Sequence, residues 1–296
     1  MTNPELDLTK PSVLKEILGR HGFSFKKQLG QNFLIDRITL ERIGDAAEIT
    51  DEDGVLEIGP GAGVVTRMLA ARAKQVVTIE KDESLRPILG DTLADVRNVH
   101  IHYNDVLQVD LARVWSEFFS GCRQVSVVAN LPYYVTTPIL FHILESNVSV
   151  AKIVVMVQKE VADRMMAGPG TKDYGVLTVA VQYRAAVRKV TVVKPSSFMP
   201  PPTVDSTVVQ LSCYQELPVA VQSERDFFHA VRAAFSMRRK TLLNALAGGL
   251  AISKQECQEL LSAAGIDPNR RGETLSLSEF AQLANEFTAR KAEQQR

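Results

Sequence analysis

A chain of 296 residues that is 45% hydrophobic and 23% charged is long for one globular domain and comfortable for two. Lys plus Arg equals Asp plus Glu at 34 each, so any nucleic-acid site must come from local clustering and not from a global field. No apolar run approaches a membrane span, the start Met1-Thr2-Asn3-Pro4-Glu5 lacks a signal-peptide pattern, and three separated cysteines (Cys122, Cys213, Cys257) offer neither a disulfide framework nor a zinc site, which makes reducing cytosol the expected location.

Residues 1–22 form an N-terminal extension without a motif. The first clear element is the apolar strand Val55-Leu56-Glu57-Ile58, followed by the turn Gly59-Pro60-Gly61-Ala62-Gly63 and the helical pattern of Val64, Val65, Met68 and Leu69. Strand, glycine turn and helix open a nucleotide-binding α/β unit, because the backbone there must turn tightly and approach a ligand closely. The dinucleotide fingerprint would need Gly or Ala at position 64, which holds Val64, and Pro60 removes an amide donor. The turn therefore suits a ligand without a pyrophosphate better than NAD.

Val76-Val77-Thr78-Ile79 is a second strand ending at Glu80, where a carboxylate can take both hydroxyls of a ribose. Val99 to Tyr103 is a third, followed by Asn104-Asp105, and Asp105 can accept from an adenine amino group. The apolar run Val125 to Ala129 is a fourth strand, and Asn130-Leu131-Pro132-Tyr133 leaves it at its carboxyl end. An amide oxygen and a backbone carbonyl accept from an NH2 group while an aromatic ring stacks on the base that bears it. Each acid alone reads equally well as a solvated strand exit. Four such residues at four strand ends in chain order are the signal.

Further strand-like runs are expected at Ile153 to Val157, Leu177 to Tyr183 and Thr207 to Leu211. Between them Ala167 to Gly175 is a Gly- and Pro-rich loop, expected to overhang the active site or to be a plain surface connection. The chain should divide at Leu217-Pro218, into residues 1–217 and 218–296. Beyond that point the pattern is helical: Phe227, Phe228, Val231, Ala234 and Phe235 make one stripe, Leu242, Leu243 and Leu246 another. Ser253 to Glu256 and Ser276 to Glu279 are capping boxes. The five histidines contain no H-E-x-x-H, and His100 and His102 lack a third ligand nearby, so no metal is expected. Basic clusters stand at Lys26-Lys27, Arg238-Arg239-Lys240 and Arg270-Arg271, where a solvated face is the ordinary reading.

The four strand-end motifs resemble those of S-adenosylmethionine-dependent adenine-N6 methyltransferases. Lys27 to Leu34 (KQLGQNFL) and Phe198 to Ser206 (FMPPPTVDS) narrow the resemblance to rRNA adenine dimethyltransferases. Phe235 to Leu242 (FSMRRKTL) is similar to the small-subunit branch, the KsgA family, over roughly residues 20 to 285. The resemblance implies an α/β fold: a Rossmann-like methyltransferase sheet of seven strands, one antiparallel, with a smaller all-helical C-terminal domain that binds RNA. It implies methyl transfer from S-adenosylmethionine to N6 of two adjacent adenines in a hairpin near the 3′ end of 16S rRNA, within the small ribosomal subunit, as a step in ribosome biogenesis. It implies cofactor contacts at Gln31, Asn32, Leu34, Gly59, Gly61, Glu80, Asp105 and Asn130. Catalysis falls to Asn130, Leu131, Tyr133 and Phe198, the two rings clamping the base, and rRNA contact to Arg238, Arg239 and Lys240. Nothing suggests an obligate partner chain, so a monomer is expected. A large-subunit dimethylase, a non-catalytic binding protein of the same fold, and a protein-glutamine or small-molecule methyltransferase remain as alternatives.

Overall fold

The computed structural model describes residues 6–146 and 148–294. The chain forms two compact units. The first runs up to Ala162 and takes back Val187–Cys213; the second holds Asp163–Ala186 and everything from Tyr214 onward. The 24 residues Asp163–Ala186, which precede the expected division at Leu217-Pro218, group with the residues from Tyr214 onward.

In the first unit the elements are α1 (Pro11–Arg20), β1 (Phe33–Leu34), α2 (Arg37–Ala47), β2 (Gly54–Ile58), α3 (Val64–Ala70), β3 (Gln75–Glu80), α4 (Arg86–Thr92), β4 (Val99–Tyr103), α5 (Leu111–Phe118), β5 (Val125–Asn130), α6 (Thr136–Leu144) and β6 (Lys152–Gln158). Helix α7 (Lys159–Met165) leads out of this unit, α8 (Val176–Arg184) lies in the other, and β7 (Ala185–Val193) leads back in. Strands β8 (Phe198–Met199) and β9 (Ser206–Cys213) close the unit. Seven strands form one sheet in the order β4-β3-β2-β5-β6-β9-β7, with β6 and β9 antiparallel and the ladders from β4 through β6 parallel. The order reverses between β2 and β5, and the crevice beyond the carboxyl ends of these strands is where an open α/β sheet binds ligands. Every residue of β2 and the first five of β5 are buried, as expected of apolar runs covered by helices on both faces.

The motif-free N-terminus has a packing role. Leu14, Ile17 and Leu18 of α1 are buried in a cluster with Phe33, Val64, Ile88 and Leu89. Phe23, Phe25 and Phe33 pack against one another, edge-on or tilted, with ring centroids 5.3–5.9 Å apart. This cluster fixes the segment that covers the sheet's switch point.

The run Leu177 to Tyr183, expected as a strand, is the helix α8. Six of its nine residues are buried, so the helix has no polar face, and a short apolar run without periodicity reads the same in either state. Thr178 decides locally: its hydroxyl accepts from the Gly175 N–H at 3.1 Å and donates to the Arg164 carbonyl, closing the first turn. The sixth sheet strand is instead β7, which follows α8 directly.

The helical unit continues with α9 (Glu224–Phe235), α10 (Leu242–Gly249), α11 (Lys254–Ala263) and α12 (Leu277–Gln294). Phe227, Phe228, Val231 and Ala234 form the buried face of α9. Ser253 and Glu256 make a reciprocal capping box, as do Ser276 and Glu279. The loop from Ala167 to Gly175 is bonded within this unit: the Gly170 N–H donates to the Glu273 carbonyl at 2.7 Å and Tyr174 is buried.

Candidate active site at the carboxyl ends of the parallel strands

One cleft gathers the ends of β2, β3, β4 and β5 beneath the segment from Leu29 to Phe33. Gly61 sits at the centre of the first turn with φ of 58°, a left-handed conformation that favours glycine. A Cβ there would lie 2.9 Å from two ring carbons of Phe33, so the turn and the covering segment touch only because that side chain is absent. Gly59 is also left-handed, at φ 72°, and its N–H is tied to the Ile79 carbonyl at 3.0 Å.

Two acids line the cleft with opposite electrostatics. Glu80 is buried, and burial pushes its carboxyl up to about 6 against the N–H groups of Asp82 (2.7 Å) and Gly61 (3.3 Å) that favour the charged form. Asp105 is held below the usual carboxylate range by the Lys81 ammonium 2.7 Å away, while its other oxygen accepts from the Leu107 N–H at 3.1 Å. Near neutral pH both are acceptors. Behind them Glu57 is fully buried and pushed up to about 8 by burial, with the Thr66 hydroxyl donating to it at 2.6 Å.

The amide of Asn130 is aimed by its surroundings. Its Nδ2 donates to the Asn32 carbonyl at 3.0 Å, and because a carbonyl can only accept, the Oδ1 must be the end left for a ligand. Asn32 is itself anchored through Nδ2 to the Gly30 carbonyl at 3.0 Å. Leu131 is buried, with its N–H on the Met156 carbonyl at 3.1 Å, and among the described residues no donor reaches the Leu131 carbonyl. The Pro132 carbonyl, by contrast, accepts from the Val135 N–H and the Thr136 hydroxyl. Tyr133 is half-buried, and its hydroxyl lies 2.6 Å from the hydroxyl of Ser206, a fully buried residue at the start of β9. The adjacent Tyr134 is exposed at the cleft's mouth.

Gln31, Asn32, Gly59, Gly61, Glu80, Asp105, Asn130, Leu131 and Tyr133 are thus brought together. Two expected residues are not. Leu34 and Phe198 face each other across the short β1–β8 ladder, are 1% and 3% exposed, and pack in the core with Val128, Met156 and Val208. Neither side chain lines the cleft in this structure. The reason is geometric: the pairing that seats the covering segment buries both side chains. Gln31 lines the cleft, but both ends of its amide are committed, to Asp82 and to the Lys26 N–H. Phe33, Lys81, Asp82 and Ser206 were missed. Phe33 and Ser206 stand inside the quoted motifs, so position alone could have flagged them; Lys81 and Asp82 carry no such signal.

In the helical unit Arg238, Arg239 and Lys240 are exposed on the connection from α9 to α10. Arg238 donates to the Lys172 carbonyl and lies 3.4 Å from Glu273. Of the other clusters, Arg270 is paired with Glu279 and Lys26 with Asp82, which leaves Arg271 the exposed member of its pair. The Lys27 side chain lies outside the described residues. Among the described residues no group of three or more potential metal ligands occurs, and no helix is long and apolar enough to cross a membrane.

Fold and cleft together define a Rossmann-like, S-adenosylmethionine-dependent methyltransferase. A family model for ribosomal RNA adenine dimethylase matches residues 22–289. The chain is 52% identical to the ribosomal RNA small subunit methyltransferase A of Bacillus pumilus (strain SAFR-032) over 282 residues, 94% of this chain and 97% of that one. It is 53% identical to the protein of the same name from Geobacillus thermodenitrificans (strain NG80-2), with 94% and 96% covered. Among solved structures it is similar to a dimethyladenosine transferase from Plasmodium falciparum, at TM-score 0.74 and 28% identity over 88% of this chain and 98% of that one. It also resembles the 23S rRNA methyltransferase ErmE, at TM-score 0.64 and 26% identity over 87% and 100%. The chain belongs to the ribosomal RNA adenine dimethylase family.

Proposed function

We propose that the protein transfers methyl groups from S-adenosylmethionine to N6 of two adjacent adenines in a hairpin near the 3′ end of 16S rRNA in the small ribosomal subunit, giving N6,N6-dimethyladenosine. The observation that carries this reading is the aimed amide of Asn130, whose NH2 donates to the Asn32 carbonyl and whose oxygen lines the same cleft as the unpaired carbonyl of Leu131. Two acceptors on consecutive residues match the two hydrogens of an exocyclic amine.

The donor set fits the methyl donor. Glu80, acceptor-only when ionised and buried at the end of β3, would take the ribose hydroxyls, and Asp105 the adenine amino group. The sulfonium, when bound, supplies an electrophilic methyl group. The residues have the harder task, because the lone pair of adenine N6 is delocalised into the ring. Acceptance of both N6 hydrogens by Asn130 and Leu131 draws that nitrogen toward a pyramidal geometry and exposes the lone pair. Tyr133, fixed through Ser206, offers one ring face to the flipped base. Stacking contributes ~1–3 kcal/mol per base, comparable to the few kcal/mol that flipping costs. Alignment for in-line transfer supplies much of the remaining rate. The N6 proton becomes acidic only after the new bond forms, so no residue need remove it first.

Arg238, Arg239 and Lys240 are the groups we assign to rRNA phosphates. On this reading the protein works in the cytoplasm, as a single chain, on an assembling small subunit. The test is methyl transfer to undermethylated small subunits by the wild-type protein and by Asn130→Ala. Loss of turnover with the methyl donor still bound supports the reading, and full activity in the variant refutes it.

A further inference from the structure

Three hydrogen bonds, joined through the Asp82 residue and the Gln31–Asn32 peptide, link the acid that would hold the ribose to the amide that would hold the substrate base. Glu80 Oε1 accepts from the Asp82 N–H at 2.7 Å. Asp82 Oδ2 accepts from Gln31 Nε2 at 2.6 Å. Gln31 precedes Asn32, whose carbonyl holds Asn130 Nδ2 at 3.0 Å. Further bonds lock the Asp82 end. Lys26 Nζ donates to Asp82 Oδ1 at 2.6 Å, and the Lys26 N–H donates to Gln31 Oε1 at 2.7 Å. Ser84 gives Oδ1 its N–H at 3.0 Å and its hydroxyl at 2.7 Å. The Asp82 side chain is 2% exposed. Burial pushes its carboxyl upward, but the bonds from Lys26, Ser84 and Gln31 prevail and hold it below the usual carboxylate range.

The Ser84 N–H bond caps the short helical turn Glu83–Leu85, whereas the bonds from Lys26 and Gln31 join Asp82 to the covering segment and engage both ends of the Gln31 amide. We infer that Asp82 is a positioning residue: through Gln31 it straps residues 26–32 onto Glu80, so that one hydrogen-bond chain sets both the seating of S-adenosylmethionine and the aim of Asn130. The second half of this inference rests on the methyl-transfer reading above. Gln31 accordingly acts through Asp82 and Asn32 and not by touching the cofactor. Because the chain is shared, breaking it at Asp82 or Gln31 loosens both ends at once.

The experiment measures S-adenosylhomocysteine affinity by calorimetry, kcat on undermethylated small subunits and the thermal midpoint, for wild type and three variants. In Asp82→Asn the remaining oxygen stays with Lys26 and Ser84, and the new NH2 faces the Gln31 NH2, two donors with no acceptor between them. Affinity and kcat are each expected to fall about tenfold, the size of one lost charge-assisted bond. Adding Gln31→Glu restores an acceptor opposite that NH2 and keeps one for the Lys26 N–H, so the double variant should recover most of both losses. Gln31→Leu leaves Asp82 with Lys26 and Ser84 and should lower affinity and kcat together; it decides the question if Asp82→Asn fails to fold. A purely structural residue would move the midpoint and leave the affinity of the folded protein unchanged. The inference is overturned if Asp82→Asn or Gln31→Leu, folded, keeps wild-type affinity and kcat, or if the double variant is no better than Asp82→Asn. Absence of methylation by the wild-type protein would instead overturn the proposed reaction, while the calorimetric comparison would still test the strap.

Discussion

The cleft of the sheet unit and the basic turn of the helical unit treat their polar groups in opposite ways. In the cleft nearly every functional group has a protein partner: Asn130 on Asn32, Tyr133 on Ser206, Asp105 on Lys81, Glu80 on two N–H groups. On the turn between α9 and α10, Arg239 and Lys240 stand exposed and Arg238 is only partly engaged. The difference matches the role proposed above for each. Groups that act on one atom must be held in place before it arrives, whereas groups that neutralise phosphates gain from mobility and a strong hydration-dependent field.

The most severe way to break the pre-set region is Asn130→Ala, expected to lower kcat by about a thousandfold, as loss of an essential transition-state partner does. Calorimetry with S-adenosylhomocysteine should show binding retained. Reversing charge at Arg238, Arg239 and Lys240 acts on the other region. It should weaken small-subunit binding, reduce the slope of log affinity against log salt by about 2–3, and leave cofactor affinity untouched. An unchanged slope would remove those residues from the RNA interface. Ser206→Ala frees the Tyr133 hydroxyl and should lower kcat by about tenfold, and Tyr133→Phe should lose a similar amount, with no further loss in the double variant. Additive losses would mean that the two hydroxyls act separately.

Two pH effects of opposite sign sharpen the picture. If the Glu80 carboxylate takes the ribose as proposed, cofactor affinity should fall as pH drops through about 6. Stability runs the other way. Glu80 and Glu57 are both raised from 4.5, to about 6 and about 8, so their protonated forms stabilise the fold at low pH and that contribution is lost as pH rises through those values. Glu57→Gln stays neutral and keeps an acceptor for Thr66. Its thermal midpoint should therefore decline less than that of the wild type between pH 6 and 8. Parallel declines would show that Glu57 does not titrate in that window.

Gly59, Glu80, Asp105 and Asn130 were readable from the chain because a parallel sheet converts sequence order into adjacency: consecutive strands deliver their last residues to one edge. The burial of Phe198 and Leu34 was not, since it follows from the β1–β8 pairing, a contact between residues more than 160 positions apart. The Leu177 to Tyr183 run was ambiguous on local grounds, and the Thr178 hydroxyl's bond to the Gly175 N–H marks the helix start. The Asp82 strap was invisible for a related reason. Lys26, Gln31 and Asp82 are unremarkable residues until the aromatic cluster of Phe23, Phe25 and Phe33 lays one segment over the other.

The measurement that tests the central claim most directly is transfer of labelled methyl groups from S-adenosylmethionine to small ribosomal subunits lacking the modification. Large subunits serve as the comparison, and the digested RNA is read by mass spectrometry. N6,N6-dimethyladenosine in the small subunit alone is the expected result. Label confined to the large subunit, or tight binding with no label in either, would contradict it.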